Sequence, residues 1–423
     1  MDAGAARIDI TPDRPICMAG YSARTAHSEG IYHSLYAKAL VVEENGVRGV
    51  VLTTDLIGFD DFTCEAVKTG IGEALGLRPE NILLTASHTH TGPEMRLGSH
   101  KYVDEFDEEY ARALVDKLVA VAAQAADELE PVTVRFGTVS CTLGVNRRLP
   151  TPEGIAMRPN PGGKSDPVAG VLSFDRSEGD PVAIVMHYAC HPTTLGGYRI
   201  GADYPGYAQD YVEEAFPESL ALFIQGCGGD QKVRHVDGKG FFRSGPHDAA
   251  RSLGEELGRA ALVALGGAMR PVSGGLKMQL SAVELPFQGP PPREQAIEMA
   301  ASQDRFLAAW GTAMLEMLDT GAEFPSGRMF AIQTLEIGDF ACIALAGEMC
   351  VGYALQLKEL LKPRPVLVAG YANGMVGYVP TADMLSEGGY EAGRSHCYHM
   401  RPSPYADESE DIIRNTVLQL LGT

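Results

Sequence analysis

The chain is predicted to adopt an α/β fold of layered, mixed β-sheets flanked by helices, on three observations. Seven short apolar runs are bounded by turn residues. Segments with apolar residues at three- and four-residue spacing lie between them, as amphipathic helices require. The composition, 45% hydrophobic and 21% charged over 423 residues, is that of a globular protein long enough for a large core.

In chain order, ALVVEE (39–44) and GVVLTTD (49–55) read as strands, and 65–75 as the first helix. NILLTASH (81–88) is the next strand, followed by a long helical pattern at 105–129. PVAIVMHYACH (181–191) and LALFIQG (220–226) enclose a helix at 207–215. Helices are expected at 246–265 and 293–318, then the strand FACIALAGE (340–348), a helix at 352–361, the strand PVLVAGY (365–371) and a last helix at 409–421. This alternation defines the class. FQGPPPRE (287–294) reads as a long loop within one domain spanning 1–423. Residues 148–167, RLPTPEGIAMRPNPGGKSDP, are so rich in Pro and Gly that a lid or substrate-binding loop is expected there.

A formal charge of −20 would repel a phosphate backbone, which excludes nucleic acid as a partner. The start of the chain has no basic region followed by an apolar run, and no stretch reaches the apolar length of a membrane helix. A cytoplasmic protein without stable membrane association is therefore expected, its partner a small-molecule substrate, and its size is compatible with a homo-oligomer. The 8 cysteines are dispersed without a CxxC pair and read as free buried thiols.

In NILLTASHTHTGP the apolar run ends at Ser87, so His88 and His90 are expected at the C-terminal mouth of a strand, two residues apart and on one face. That edge is where open α/β sheets bind ligands. Two imidazoles there share a metal, or one binds it while the other carries protons; a pair of surface histidines would look the same in isolation. PVAIVMHYACHP repeats the pattern and puts His191 in the equivalent place, with His187 packed inside the run. The spacing is not HExxH, which excludes a helical metalloprotease site. In ACIALAGEMC, Glu348 is either a helix-start residue or a hard ligand. VLVAGYANGMVGYVPT carries Tyr371 and Tyr378 in a Gly-rich loop of the kind that passes close to a ligand. Asp55 in TTDLIG and Asp230 in GCGGD either orient a histidine through its other ring nitrogen or cap a turn.

ITPDRPICMAGYSAR, TTDLIG, SHTHTGP, GVNRR, HYACHP, QGCGGD, AGE and GYVPTADMLSEGGYEAG follow one another over nearly the whole chain. This ordered set resembles the N-terminal catalytic domain of the neutral/alkaline non-lysosomal ceramidase family. The resemblance implies Zn2+ held by His88, His191, Glu348 and Tyr378, with His90 as the active-site histidine beside it. It further implies that Arg147 and Tyr390 contact the polar groups of the substrate, and that the backbone of Gly20 does so too. Where the family reads GDxSP this chain reads GDQKVR, with Lys232 in the place of the serine, so a serine nucleophile is excluded there. Lys232, together with Arg234, predicts an acidic or carboxylate-bearing substrate. The chain ends soon after the tyrosine-bearing segment, without the family's further C-terminal β-sandwich domain, and a soluble substrate is expected rather than ceramide.

The resulting expectation is a zinc-dependent hydrolase that cleaves the amide bond of a small or medium soluble N-acyl compound with a metal-activated water. A zinc hydrolase of ester, lactone or glycosidic-type bonds on the same scaffold is the alternative, since the metal does not choose its electrophile. A non-catalytic metal- or ligand-binding homologue is a third, against which His90, Arg147 and Tyr390 speak.

Overall fold

A computed structural model describes residues 1–95 and 106–423. Three larger sheets form the frame. The first runs, in spatial order, Ile82–Ala86, Val47–Thr54, Tyr36–Glu44, Asp2–Asp9 and Glu130–Pro131. The second runs Leu220–Gln225, Ala183–Tyr188, Val168–Asp175, Thr133–Ser140 and Arg270–Val272. The third runs Leu276–Pro286, Gly327–Ile337, Phe340–Leu345 and Val366–Ala369.

One face of each sheet turns to a common core. Leu40, Val42, Val51 and Leu83 of the first sheet meet Leu172, Val185, Leu222 and Ile224 of the second and Leu335, Cys342 and Leu367 of the third. The opposite faces carry helices. Val67 and Ile71 of helix Asp61–Leu75 and Leu114 and Leu118 of helix Glu108–Asp127 cover the first sheet. Val212 and Leu257, from helices Asp203–Ala215 and His247–Leu265, cover the second. Leu357, Ile413 and Val417, from Val351–Leu360 and Glu408–Leu421, cover the third. Strands buried on both faces must be apolar at nearly every position, which is why these runs stand out in the sequence. The architecture is the layered, mixed α/β sandwich that the alternation predicts.

Each sheet holds one parallel pair: Val47–Thr54 with Ile82–Ala86, Ala183–Tyr188 with Leu220–Gln225, and Phe340–Leu345 with Val366–Ala369. A crossover containing a helix joins the strands of each pair, as parallel pairing demands. The C-terminal ends of these pairs point at one region.

The helix expected from residue 65 begins at Asp61 because Asp60 accepts the Thr63 amide at 2.7 Å as its N-cap. The expected start at Glu105 lies outside the described residues. The pattern at 293–318 is two helices, Arg293–Ala300 and Arg305–Thr320, because Asp304 caps the second through the amides of Phe306 and Leu307. Much of residues 148–167, expected as a lid or substrate-binding loop, is regular strand. Gly144–Thr151 and Gly154–Asn160 pair as an antiparallel hairpin, with Gly154 at φ 116° closing the turn. Arg148 anchors it, buried and ion-paired to Glu391 at 2.8 Å. The eight cysteines are free thiols, and no helix among the described residues is long and apolar enough to cross a membrane.

Candidate metal centre

His88 leaves strand Ile82–Ala86 through a turn, with φ 66°, and its amide donates to Leu56 O. It is this left-handed turn, and not strand alternation, that brings His88 and His90 together: their Nε2 atoms are 3.2 Å apart. His191 follows strand Ala183–Tyr188, and its amide donates to Gln231 O. Glu348 follows Phe340–Leu345 across Gly347, whose φ of 81° lets the chain turn. A short parallel pairing then sets Glu348 against Tyr378 in register.

The four side chains converge. His88 Nε2 lies 3.2 Å from His191 Nε2, and Glu348 Oε2 lies 3.2 Å from each of the two. The Tyr378 hydroxyl is 3.1 Å from His191 Nε2. His88 Nδ1 donates to Ile57 O at 2.6 Å and His191 Nδ1 to Gly228 O at 2.7 Å. A carbonyl only accepts, so both Nδ1 atoms carry a proton, and in the neutral form of each ring the Nε2 atom is left as a lone pair. Two bare imidazole nitrogens and a carboxylate oxygen without a hydrogen-bond donor therefore face one another in a buried place. Such an arrangement repels itself unless a cation sits among its members, and nitrogen and oxygen donors of this kind suit zinc. The ligand atoms of His88, His90 and His191 all lie within 4.8 Å of one another, a group that can hold a metal ion.

Burial, with Arg147 nearby, pulls the His191 imidazole down to about 4. Burial, with His88 and His191, holds that of His90 well below its ordinary value. Burial pushes the Glu348 carboxyl up, but positive charge at His88 and His191, in the position a bound cation would share, holds it well below its ordinary value. Neutral imidazoles and an ionised carboxylate are the ligand forms. Burial also keeps the Tyr378 phenol protonated.

The other expected residues are placed as follows. Arg147 is buried, its Nε 2.7 Å from Glu391 and its Nη2 donating to the Tyr378 hydroxyl at 3.0 Å, so that it fixes Tyr378. Tyr390 packs edge-on against Tyr378 and lines the cavity above the cluster, about 90 Å³ in volume, together with Gly20, Phe59, Glu94 and Phe306. Lys232 does not line that cavity. Its ammonium lies 5.5 Å from the Phe242 ring, burial lowers it to about 8, and its backbone bridges that of His191. Arg234 pairs with Glu256 at 2.6 Å on the exposed surface and offers no substrate contact. Asp230 touches neither histidine. It receives the Val351 amide at 2.7 Å and Asn146 Nδ2 at 3.2 Å, tying down the helix that follows Glu348. The orienting role expected of the aspartates falls to backbone carbonyls instead. Tyr371, over the His88 ring at 4.2 Å, was legible as a loop tyrosine; Glu391 and His399, 3.8 Å from Glu348, carried no signal in the sequence.

Asp55 accepts the Tyr36 amide at 2.9 Å, and burial raises its pKa above 3.8. A raised carboxyl stabilises the fold below its unfolded value and loses that contribution as pH rises through the folded one. Asp55→Asn keeps the acceptor and removes the buried charge, so its melting temperature at pH 7 is expected to equal or exceed that of the wild type. A clear drop would show that the carboxylate itself is needed.

Gly20 has φ 98°, and a Cβ there would lie 2.6 Å from the His90 ring. Gly20→Ala is expected to displace that imidazole and lower kcat on the order of 10²-fold, with metal content retained. Wild-type turnover would mean that the position of His90 is unimportant.

A layered α/β fold whose parallel strand ends deliver imidazoles, a carboxylate and phenols to the floor of a cavity is the frame of a hydrolase. The chain belongs to the neutral/alkaline non-lysosomal ceramidase family, whose N-terminal model matches residues 2–242. It is 24% identical to the neutral ceramidase of Pseudomonas aeruginosa in a gapped alignment of 461 positions that covers 92% of this chain and 68% of that protein. It is 23% identical to the neutral ceramidase of Mycobacterium tuberculosis in a gapped alignment of 473 positions that covers 93% of this chain and 73% of that one. The crystal structure of the Pseudomonas aeruginosa neutral ceramidase has the same fold, with a TM-score of 0.79 and 21% identity over 99% of this chain and 73% of its own.

Proposed function

We propose that this chain is a zinc-dependent hydrolase that cleaves the amide bond of an N-acyl compound, with residues 1–423 acting as one catalytic domain. The observation that carries the reading is the buried, mutually repelling set formed by the Nε2 atoms of His88 and His191 and the Oε2 of Glu348, at 3.2 Å. These residues, with Tyr378, would hold the metal. Bound there, zinc supplies a Lewis acid and a water of lowered pKa.

The chain's own groups do the rest. His90, neutral because it is buried between two other imidazoles, takes a proton at Nε2 and returns it to the leaving nitrogen. Tyr390 keeps its phenolic proton because it is buried, and donates a hydrogen bond toward the oxygen that gains charge at the scissile carbonyl. Arg147, clamped by Glu391, holds the Tyr378 ring in place. Met18, Phe59 and Phe306 give the cavity apolar walls. Water and amide become a carboxylic acid and an amine. The reaction named by the relatives, ceramide hydrolysis, is of this type.

Elemental mass spectrometry of wild type and His191→Ala, with a panel of N-acyl substrates, tests the reading. About one zinc per chain, lost with activity in the variant, is expected. Wild-type protein that stays metal-free after incubation with zinc would overturn it.

A further inference from the structure

A second cavity, about 340 Å³ in volume, opens off the catalytic one and shares Met375, Tyr398 and His399 with it. One of its walls is Arg401, only 8% exposed. Among the described residues the Arg401 guanidinium has no carboxylate or carbonyl partner; its one contact is the face of the Tyr405 ring, 4.8 Å away. Arg328, also lining the cavity, is already ion-paired with Asp61, and the carboxylate of Asp60 is turned to the helix amide that it caps. Among the described residues Arg401 is thus a lining cation with no carboxylate hydrogen-bonded to it.

It is also held still. Trp310 Nε1 donates to Arg401 O at 2.6 Å, and the Tyr405 ring stacks on Phe287 while its hydroxyl donates to Val376 O at 3.2 Å. A guanidinium cannot shed its charge, and an unpaired buried charge is costly. A fixed, buried guanidinium facing a cavity is a fork for a carboxylate, which it meets with two parallel hydrogen bonds. Phe287, Met400 and Pro402 around it suit a short carbon chain.

We propose that Arg401 anchors a carboxylate carried by the substrate away from the scissile amide, so that the substrates are acidic N-acyl compounds. The inference rests on the amide-hydrolase reading above. It keeps the acidic substrate expected from Lys232 and Arg234 and assigns its recognition to a different residue.

The test uses the full, zinc-loaded chain and two acids. N-octanoylglycine carries its carboxylate on the amine side, and N-octylglutaramic acid carries it on the acyl side. Each is compared with a counterpart in which an isopropyl group replaces the carboxylate. Wild type is expected to prefer one acid over its neutral counterpart by about 10- to 100-fold in kcat/KM, mainly through KM. Which acid is preferred tells which product side enters the cavity. Arg401→Gln is expected to bring that ratio near one, and Arg401→Lys to restore part of it. Should the glutamine variant not fold by circular dichroism, a severalfold smaller ratio in the lysine variant serves instead. Equal cleavage of acid and neutral compound by wild type, or a preference that survives in Arg401→Gln, overturns the proposal. If no compound is cleaved, the hydrolase reading fails, and calorimetry of the same acids on zinc-free protein decides for Arg401: binding lost in the variant supports the site, and no binding to wild type overturns it.

Discussion

Glu348→Gln is expected to lower kcat/KM on the order of 10³-fold and to remove tight zinc retention while the fold persists. Among the described residues the carboxylate is the only formal negative charge within 3.2 Å of both Nε2 atoms, so the amide removes the anionic member of the set at unchanged shape. The apo protein should melt no lower than wild-type apo protein, because the substitution takes away a buried carboxylate facing bare nitrogens. The rise in melting temperature on adding zinc should disappear. A variant with wild-type zinc content and turnover would remove Glu348 from the set.

Glu391→Ala is expected to cost about 3–5 kcal/mol of stability. Its carboxylate, 2% exposed, meets Arg147 Nε at 2.7 Å and Arg148 Nη1 at 2.8 Å, and both arginines are buried. Removing the shared partner leaves Arg147 without a counter-charge and Arg148 with only Glu387, itself 48% exposed. Activity should fall as well, since Arg147 positions Tyr378. Burial pushes the Glu391 carboxyl up, but Arg147 and Arg148 pull it below its ordinary 4.5. Its contribution is therefore present above the unfolded value and lost as pH falls through the folded one, and the gap between wild type and variant should narrow in acid. Denaturant midpoints across pH measure this; a loss below about 1 kcal/mol at pH 7 would show that the network is not what secures the two arginines.

The strands that end at the site were legible because each is buried on both faces: Ile82–Ala86 and Phe340–Leu345 have no exposed position. Their antiparallel partners were not. Leu276–Pro286 alternates buried Met278 with exposed Lys277, and Asp2–Asp9 mixes small and charged residues, so neither forms an apolar run. The hairpin at Gly144–Asn160 was misread for a related reason. Pro and Gly mark turns, but these residues pair as two strands, with Arg148 held by Glu391, 243 positions away.

By itself the sequence determined the class of fold and put His88, His191 and Glu348 each just past an apolar run; that Glu348 joins the histidines was implied only by the family resemblance, and the fold brings the three side chains together. Only the tertiary structure decided how they are oriented and which charges face a cavity. The orienting acceptors are the carbonyls of Ile57 and Gly228, and every residue carries a carbonyl, so composition cannot single them out. Whether an arginine is matched, as Arg234 is by Glu256, or left facing a cavity, as Arg401 is, depends on what the fold packs against it. Charge compensation is a property of neighbours in space, and those neighbours lie far apart along the chain.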